Sequence, residues 1–200
     1  MTTKPENYPY RLVLCSASPR RQELLKKMGF YFDILFKNIN EEYPKDLPAE
    51  QVSEFLAKEK SKAYDLEQMP EKTMLITADT DVILSGEILG KPKDRSEAIA
   101  MLQKLSGKTH EVITGVCLRT KEKESSFSVE SRVSFRPLLE EEIIYYVDNY
   151  KPYDKAGSYG IQEWLGFVAL ERIEGSFFNV VGFPTQRLYV ALMNFCNENS

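Results

Sequence analysis

The sequence predicts a mixed α/β fold, and three observations carry that expectation. Near the start, the apolar run Arg11–Ser16 (RLVLCS) passes through a polar turn into a stretch of helical period. Two β-rich runs, Thr109–Thr120 and Phe127–Phe135, flank the polar segment KEKESS. Strand and helix patterns alternate along the chain with no repeat, no low-complexity tract and no linker that would split it. At about one domain per 100–200 residues, the 200 residues predict one domain over 1–200, or two small lobes sharing a core. Residues 1–10 form an extension ahead of the first strand.

Each element has its own justification. Arg11–Ser16 reads as a buried strand, and Pro19 then opens PRRQELLKKM, where Leu24, Leu25 and Met28 recur at helical spacing before Gly29. Proline at the first helical position and glycine after the last are the expected asymmetry. Tyr31–Phe36 is apolar and aromatic enough for a second strand, and NINEEYPKDLP after it is a loop. From Pro48, AEQVSEFLAKEKSKAYDL places Val52, Phe55, Leu56, Ala63 and Leu66 on roughly one helical face. Met74–Ala78 is a third strand ending at Asp79-Thr80-Asp81, beyond which apolar residues resume at Val82–Leu84. Ser85-Gly86 is a turn, Glu87-Ile88-Leu89 a short return strand and Gly90-Lys91-Pro92 a break. Asp94 and Glu97 have capping-box spacing before AIAMLQKLSG, a helix closed by Gly107. After the two β-rich runs, Glu140–Asn149 is a helix with an acidic start, and YKPYDKAGSYGIQ is rich in turn formers. Phe167–Ile173 and FFNVVGFP lead to a last amphipathic helix through Leu192.

Composition removes several function classes. With 26 Lys and Arg against 30 Asp and Glu, the net charge of −4 provides no global field toward nucleic acid or an anionic membrane. No apolar stretch approaches the roughly 18 residues of a membrane span, and MTTKPENYPY has no apolar core resembling a signal peptide, so a soluble cytoplasmic protein is expected. Cys15, Cys117 and Cys196 form no CxxC pair and predict reduced thiols, neither a disulfide framework nor a zinc cluster. His110 is the only histidine, which excludes multi-histidine metal sites, and it reads as a structural or edge residue. Any metal should be a hard cation held by carboxylates and water.

Chemistry-bearing residues gather in three places. In Ser16-Ala17-Ser18-Pro19-Arg20-Arg21, a strand ends in hydroxyls and enters a helix through proline, leaving backbone N–H groups at the positive helix end. With two arginine forks this is either a phosphate site or an ordinary serine cap beside two solvated arginines. Asp79 and Asp81 share one side of a strand and Thr80 faces the other; the pair either holds a metal or takes a proton from water, or marks a turn. Lys91, with Lys58, Lys60 and Lys62, either neutralises a polyphosphate or is surface charge, and Glu41-Glu42 is an acidic pair in a polar loop.

Three collinear segments carry a family resemblance: SASPRRQELLKKMG; LITADTDVILSGEILGKPKDRSEAIAMLQKLSGKTHEVITGVCL; and YDKAGSYGIQ with IEGSFFNVVGFP. Together they resemble the Maf (septum-formation) nucleotide pyrophosphatases, from about Leu12 to the last helix. The resemblance implies a twisted mixed sheet in two lobes with a deep central cleft, similar to inosine triphosphate pyrophosphatases. It also implies frequent homodimers, and hydrolysis of a nucleoside triphosphate to the monophosphate and pyrophosphate with a divalent metal, Mg²⁺ or Mn²⁺. Carried over residue by residue, the proton acceptor falls on Asp79, the loop acid on Glu42, the helix lysine on Lys60 and the GKP lysine on Lys91. Ser16, Arg20 and Arg21 fall in the substrate-binding SxSPRR motif, and Asp79 and Glu42 would hold the metal. The AG-[AS]-YGIQ segment matches the subgroup acting on dTTP and UTP, and the amide of Gln162 suits a uracil or thymine edge. Arg20, Thr80 and Gln162 are therefore expected to set specificity.

Three departures from the family pattern stand out. Asp81 occupies a usually apolar position, adding a metal ligand or pointing to solvent. Glu163 stands where glycine is common, narrowing the pocket or altering its charge. The Met1–Tyr10 extension has no functional account. The competing expectation, an interaction protein in cell division or a checkpoint with hydrolysis incidental, is disfavoured because Arg21, Glu42, Asp79 and Lys91 are all present.

Overall fold

The computed structural model describes residues 5–197. The first four residues of the expected N-terminal extension lie outside that range. Strands β1 (Arg11–Cys15), β2 (Phe32–Leu35), β3 (Thr73–Leu84), β4 (Glu87–Leu89), β5 (Thr109–Arg119), β6 (Glu124–Phe135) and β7 (Leu170–Glu174) form one mixed sheet in the order β2-β1-β3-β5-β6-β7, with β4 paired to β3. The helices are α1 (Pro19–Lys27), α2 (Ala49–Lys62), α3 (Arg95–Leu105), α4 (Glu140–Tyr150), α5 (Trp164–Ala169), α6 (Phe177–Val181) and α7 (Thr185–Asn197). The mixed α/β expectation is borne out.

The described residues divide into two compact units, one of 5–79, 114–129 and 182–197, the other of 80–113 and 130–181. In the first, β1 pairs in parallel with β2 (Leu12 opposite Phe32) and with β3 (Leu12 opposite Met74). Leu12, Leu14, Leu25, Val52, Leu56, Leu75 and Ile76 are buried there. The described part of the N-terminal extension packs on α7: the Tyr8 hydroxyl donates to the Leu192 carbonyl at 2.8 Å, and Tyr10 meets Phe195 edge-on. In the second unit, β4 folds back on β3 (Val82 opposite Leu89) through Ser85-Gly86, both at positive φ. Its core gathers Val82, Leu102, Val112, Phe135, Tyr146, Tyr159 and Leu165 from strands, helices and the 156–162 segment.

Helix ends follow the sequence signals. The Asp94 carboxylate accepts from Glu97 N–H at 2.9 Å, and Glu97 accepts from Lys93 N–H at 2.7 Å, which fixes the start of α3. At α2 the expected stripe is cut short: the helix ends at Lys62, and Leu66 belongs to a separate 3₁₀ turn whose start is capped by Asp65. Arg119 closes α2 by donating to the Ser61 and Tyr64 carbonyls, each at 2.6 Å, supplying the cation that a helix C-terminus favours.

Other expectations need correction. The acid pair does not end a strand: β3 runs unbroken from Thr73 to Leu84, with Asp79 inside it. The apolar break at Asp79-Thr80-Asp81 marks a change of partner. The parallel register with β1 runs to Ile76 and the antiparallel one with β4 begins at Val82. The KEKESS linker is shorter than expected because β6 starts at Glu124, and the last helix continues past Leu192 to Asn197. The second strand is an edge, and Ile34 and Leu35 on it are exposed.

Candidate active site

In the first unit, two contacts lock α2 onto the sheet and thereby place Lys60. Gly115 in β5 leaves no room for a Cβ against the Ser53–Glu54 backbone, so helix and strand approach as closely as glycine allows. The Thr77 hydroxyl on β3 donates to the Ala57 carbonyl at 2.6 Å. Asp79 is two residues along the same face of β3, and Lys60 is nearly one helical turn beyond Ala57. Those two steps bring the Lys60 ammonium onto Asp79 Oδ1, where it makes both a hydrogen bond and an ion pair. Lys60 Nζ also lies 2.6 Å from Glu41 Oε1. The Lys60 and Asp79 side chains are 15% and 11% exposed, so this pair is shielded from solvent far more than a surface ion pair.

The Ser16–Arg21 turn reaches the same strand. Arg21 Nη1 donates to the Ala78 carbonyl at 2.7 Å, directly before Asp79, and Nε donates to the Gly182 carbonyl at 2.9 Å. The guanidinium thus clamps the backbone that carries the acid. Ser18 is the N-cap residue of α1, as the cap alternative has it, but its side chain makes no capping bond. Ser16 is buried, its Oγ accepting from Ser18 N–H at 3.2 Å, and Arg20 is half-buried. Glu42 is exposed and its Oε1 accepts from Asn40 Nδ2 at 2.6 Å, so within this unit Glu41, named in the sequence only as half of an acidic pair, is the loop acid that meets Lys60.

In the second unit, the GKP turn and the 156–162 segment come together. Gly157 N–H donates to the Gly90 carbonyl at 3.1 Å, beside Lys91. Gly157 has φ +65°, and a Cβ on it would lie 2.9 Å from Val82 Cγ1. Residues 157–161 are buried, whereas Gln162 and Lys91 are exposed and Thr80 is half-buried. Asp81 is buried, which removes its solvent-facing alternative. Glu163 turns inward, its Oε2 accepting from the Tyr146 hydroxyl and its Oε1 lying 3.1 Å from Lys155 Nζ. Sequence reasoning missed Tyr146 and Lys155, which carry no spacing signal. Gly115 did carry one, an isolated glycine within a strand pattern.

The remaining titratable groups are structural. Burial pushes the Cys15 thiol up to about 12 and the Cys117 thiol up to about 11, and all three cysteines are free thiols. His110 is fully buried, and burial lowers its pKa to about 4. Among the described residues no helix is long and apolar enough to cross a membrane, and no group of three or more His, Cys, Asp and Glu side chains could hold a metal ion.

A buried carboxylate engaged by a lysine, on a strand clamped by an arginine, is machinery suited to a polyanionic substrate attacked by water. Comparison with known proteins agrees in kind. Residues 11–195 match the family described as Maf-like protein. A Porphyromonas gingivalis protein named dTTP/UTP pyrophosphatase is 50% identical over 192 residues, 95% of this chain and 96% of the relative. Relatives of the same name from Flavobacterium psychrophilum (49% identity, 92% of this chain and 94% of the relative) and Bacteroides fragilis strain ATCC 25285 (51%, 90% and 93%) are similar throughout.

Proposed function

Since this chain belongs to the Maf-like family, we propose that it hydrolyses dTTP and UTP to the nucleoside monophosphate and pyrophosphate. The observation that carries the reading is the shielded Lys60–Asp79 pair, in a chain about half identical to relatives named for that activity. Asp79 is the proton acceptor. Lys60 engages one carboxylate oxygen, Oδ1, and so orients the other toward the attacking water. The water oxygen forms a new bond to a phosphorus of the α–β anhydride, the bridging P–O bond breaks, and the water proton passes to Asp79. Arg21 holds the Ala78 carbonyl and thereby the position of Asp79, while Lys60 and Lys91 draw negative charge from the phosphates. Ser16 and Arg20 add donors to the phosphates, and Thr80 and Gln162 read the pyrimidine.

The donor set also suits a divalent metal. Asp79 and Glu42 would hold the ion; since among the described residues no three such side chains gather, Mg²⁺ or Mn²⁺ would keep most of its own waters and take phosphate oxygens as further ligands. When bound, such an ion would offset phosphate charge.

The test is a pyrophosphate-release screen across the eight common nucleoside triphosphates, with and without Mg²⁺ or Mn²⁺, on the wild type and Asp79→Asn. Selective release from dTTP and UTP is expected, with turnover in folded Asp79→Asn down at least about a hundredfold. Equal turnover of all eight would remove the base assignment, and near-normal Asp79→Asn turnover would remove Asp79 as the acceptor.

A further inference from the structure

The proposed reaction leaves one shielded ionic cluster without a role, in the second unit around Glu163. The Glu163 side chain is 21% exposed and that of Lys155 only 9%, and Lys155 Nζ also lies 2.7 Å from Asp154 Oδ1. Tyr146 is fully buried, and its hydroxyl links two points of the 160–163 turn. It accepts from Gly160 N–H at 3.0 Å and donates to Glu163 Oε2. Glu163 N–H closes the same turn by donating to the Gly160 carbonyl at 3.0 Å. Residues 160–163 are therefore held in a ring, by backbone on one side and by the Tyr146 hydroxyl and Glu163 carboxylate on the other. Burial and the adjacent carboxylate raise the pKa of Tyr146 far above its ordinary value, so the phenol keeps its proton and remains the donor to Glu163.

Gln162 lies inside this ring. It is the first exposed residue after a buried run, so the turn sets the point on the backbone from which its side chain departs. The ring also explains Gly160: a Cβ there would lie 2.8 Å from Glu163 Cδ, where the carboxylate crosses over the backbone. Glycine, the residue the family resemblance leads one to expect at 163, could make neither the Tyr146 nor the Lys155 contact.

We propose that Glu163 is a positioning residue for base selection: through Tyr146 and Lys155 it fixes the 160–163 turn and so aims the Gln162 amide at the pyrimidine edge. This rests on the assignment of Gln162 as a base reader. An amide that donates and accepts together discriminates only while its direction is defined; freed, it still hydrogen-bonds but meets purines and pyrimidines alike. The effect therefore falls on substrate binding and selectivity, and the chemical step is spared.

Steady-state kinetics with dTTP, UTP and dATP on Glu163→Ala, Glu163→Gln, Tyr146→Phe and Gln162→Ala test this. Glu163→Ala and Tyr146→Phe should raise KM for dTTP and UTP about tenfold with kcat within about twofold, leaving dATP kinetics unmoved. Glu163→Gln, whose amide oxygen still accepts from Tyr146, should retain most of the selectivity; a merely structural defect would lower kcat for all three substrates together. If Glu163→Ala does not fold, Tyr146→Phe, which removes a single hydroxyl, decides the matter. Wild-type KM and selectivity in the folded Glu163 and Tyr146 variants, beside a Gln162→Ala that has lost selectivity, would overturn the positioning role alone. Wild-type selectivity in Gln162→Ala would overturn base reading by Gln162, and this proposal with it.

Discussion

Acid should weaken this fold beyond the titration of its carboxylates, through one buried side chain, His110. It is the second residue of β5, fully buried, with its ring edge-on to Phe135 and Tyr159 at centroid distances of 5.1 and 5.4 Å. Its Nε2 lies 2.8 Å from the Tyr159 hydroxyl, and Nδ1 has no partner among the described residues. Burial alone lowers its pKa from the ordinary 6.5 to about 4. Above pH 6.5 the imidazole is neutral in both folded and unfolded chains, and it contributes no pH dependence. As pH falls from 6.5 toward 4, only the unfolded chain takes up the proton, so stability falls; below about 4 the folded chain titrates too and the loss levels off. The full loss is on the order of 3 kcal/mol, and at pH 5.5 it is about 1.4 kcal/mol, or roughly 3–6 °C in Tm for a chain of this size. Thermal melts of the wild type and His110→Gln between pH 7.5 and 5.0 isolate the effect, because the carboxylates titrate in both proteins. The wild type should lose stability relative to the variant as pH falls. As the only histidine, His110 also gives a single set of ring C–H resonances whose NMR titration should lie near 4. A flat stability difference, or an NMR midpoint near 6.5, would refute the reasoning.

Two further substitutions probe the anchoring of the site segments. Arg21→Lys keeps the charge but cannot span the Ala78 and Gly182 carbonyls together. It should cost about 2–3 kcal/mol of stability, read by urea unfolding, and lower kcat for dTTP; an unchanged unfolding midpoint would show that the clamp carries no load. Gly157→Ala combines a positive φ of 65° with a Cβ 2.9 Å from Val82 Cγ1. It should cost at least about 2 kcal/mol in thermal or urea melts, and a loss below about 0.5 kcal/mol would mean that the segment relaxes freely.

The legible parts of the fold were those in which period and punctuation coincide. Pro19 and Gly29 bracket α1, and Asp94 with Glu97 starts α3, because capping chemistry is local and the residues that perform it are adjacent. The strand through Asp79 was cut in two for a physical reason. Acids disfavour strands on average, and here they stand where β3 changes partner from β1 to β4, a tertiary fact with no local signature. Likewise the stripe on α2 continued in sequence beyond the helix, because Leu66 is buried from a 3₁₀ turn and apolar spacing does not say which backbone delivers a side chain.

The site divides along the same line. Types of chemistry were readable: an acid on β3, a lysine on α2, an arginine pair at the head of α1. Partners were not, since adjacent acids in a loop have no period to tell them apart, and only the placement of α2 selects Glu41 for Lys60 within the first unit. That placement rests on Thr77 and Gly115, residues with no chemistry of their own. A Cβ at Gly115 would lie 2.3 Å from the Ser53–Glu54 backbone, so α2 would have to move out by roughly 1 Å to reach ordinary contact, a shift of the size that disturbs a positioned catalytic group. The Lys60–Asp79 contact therefore depends on a buried glycine as well as on the two charged groups it brings together.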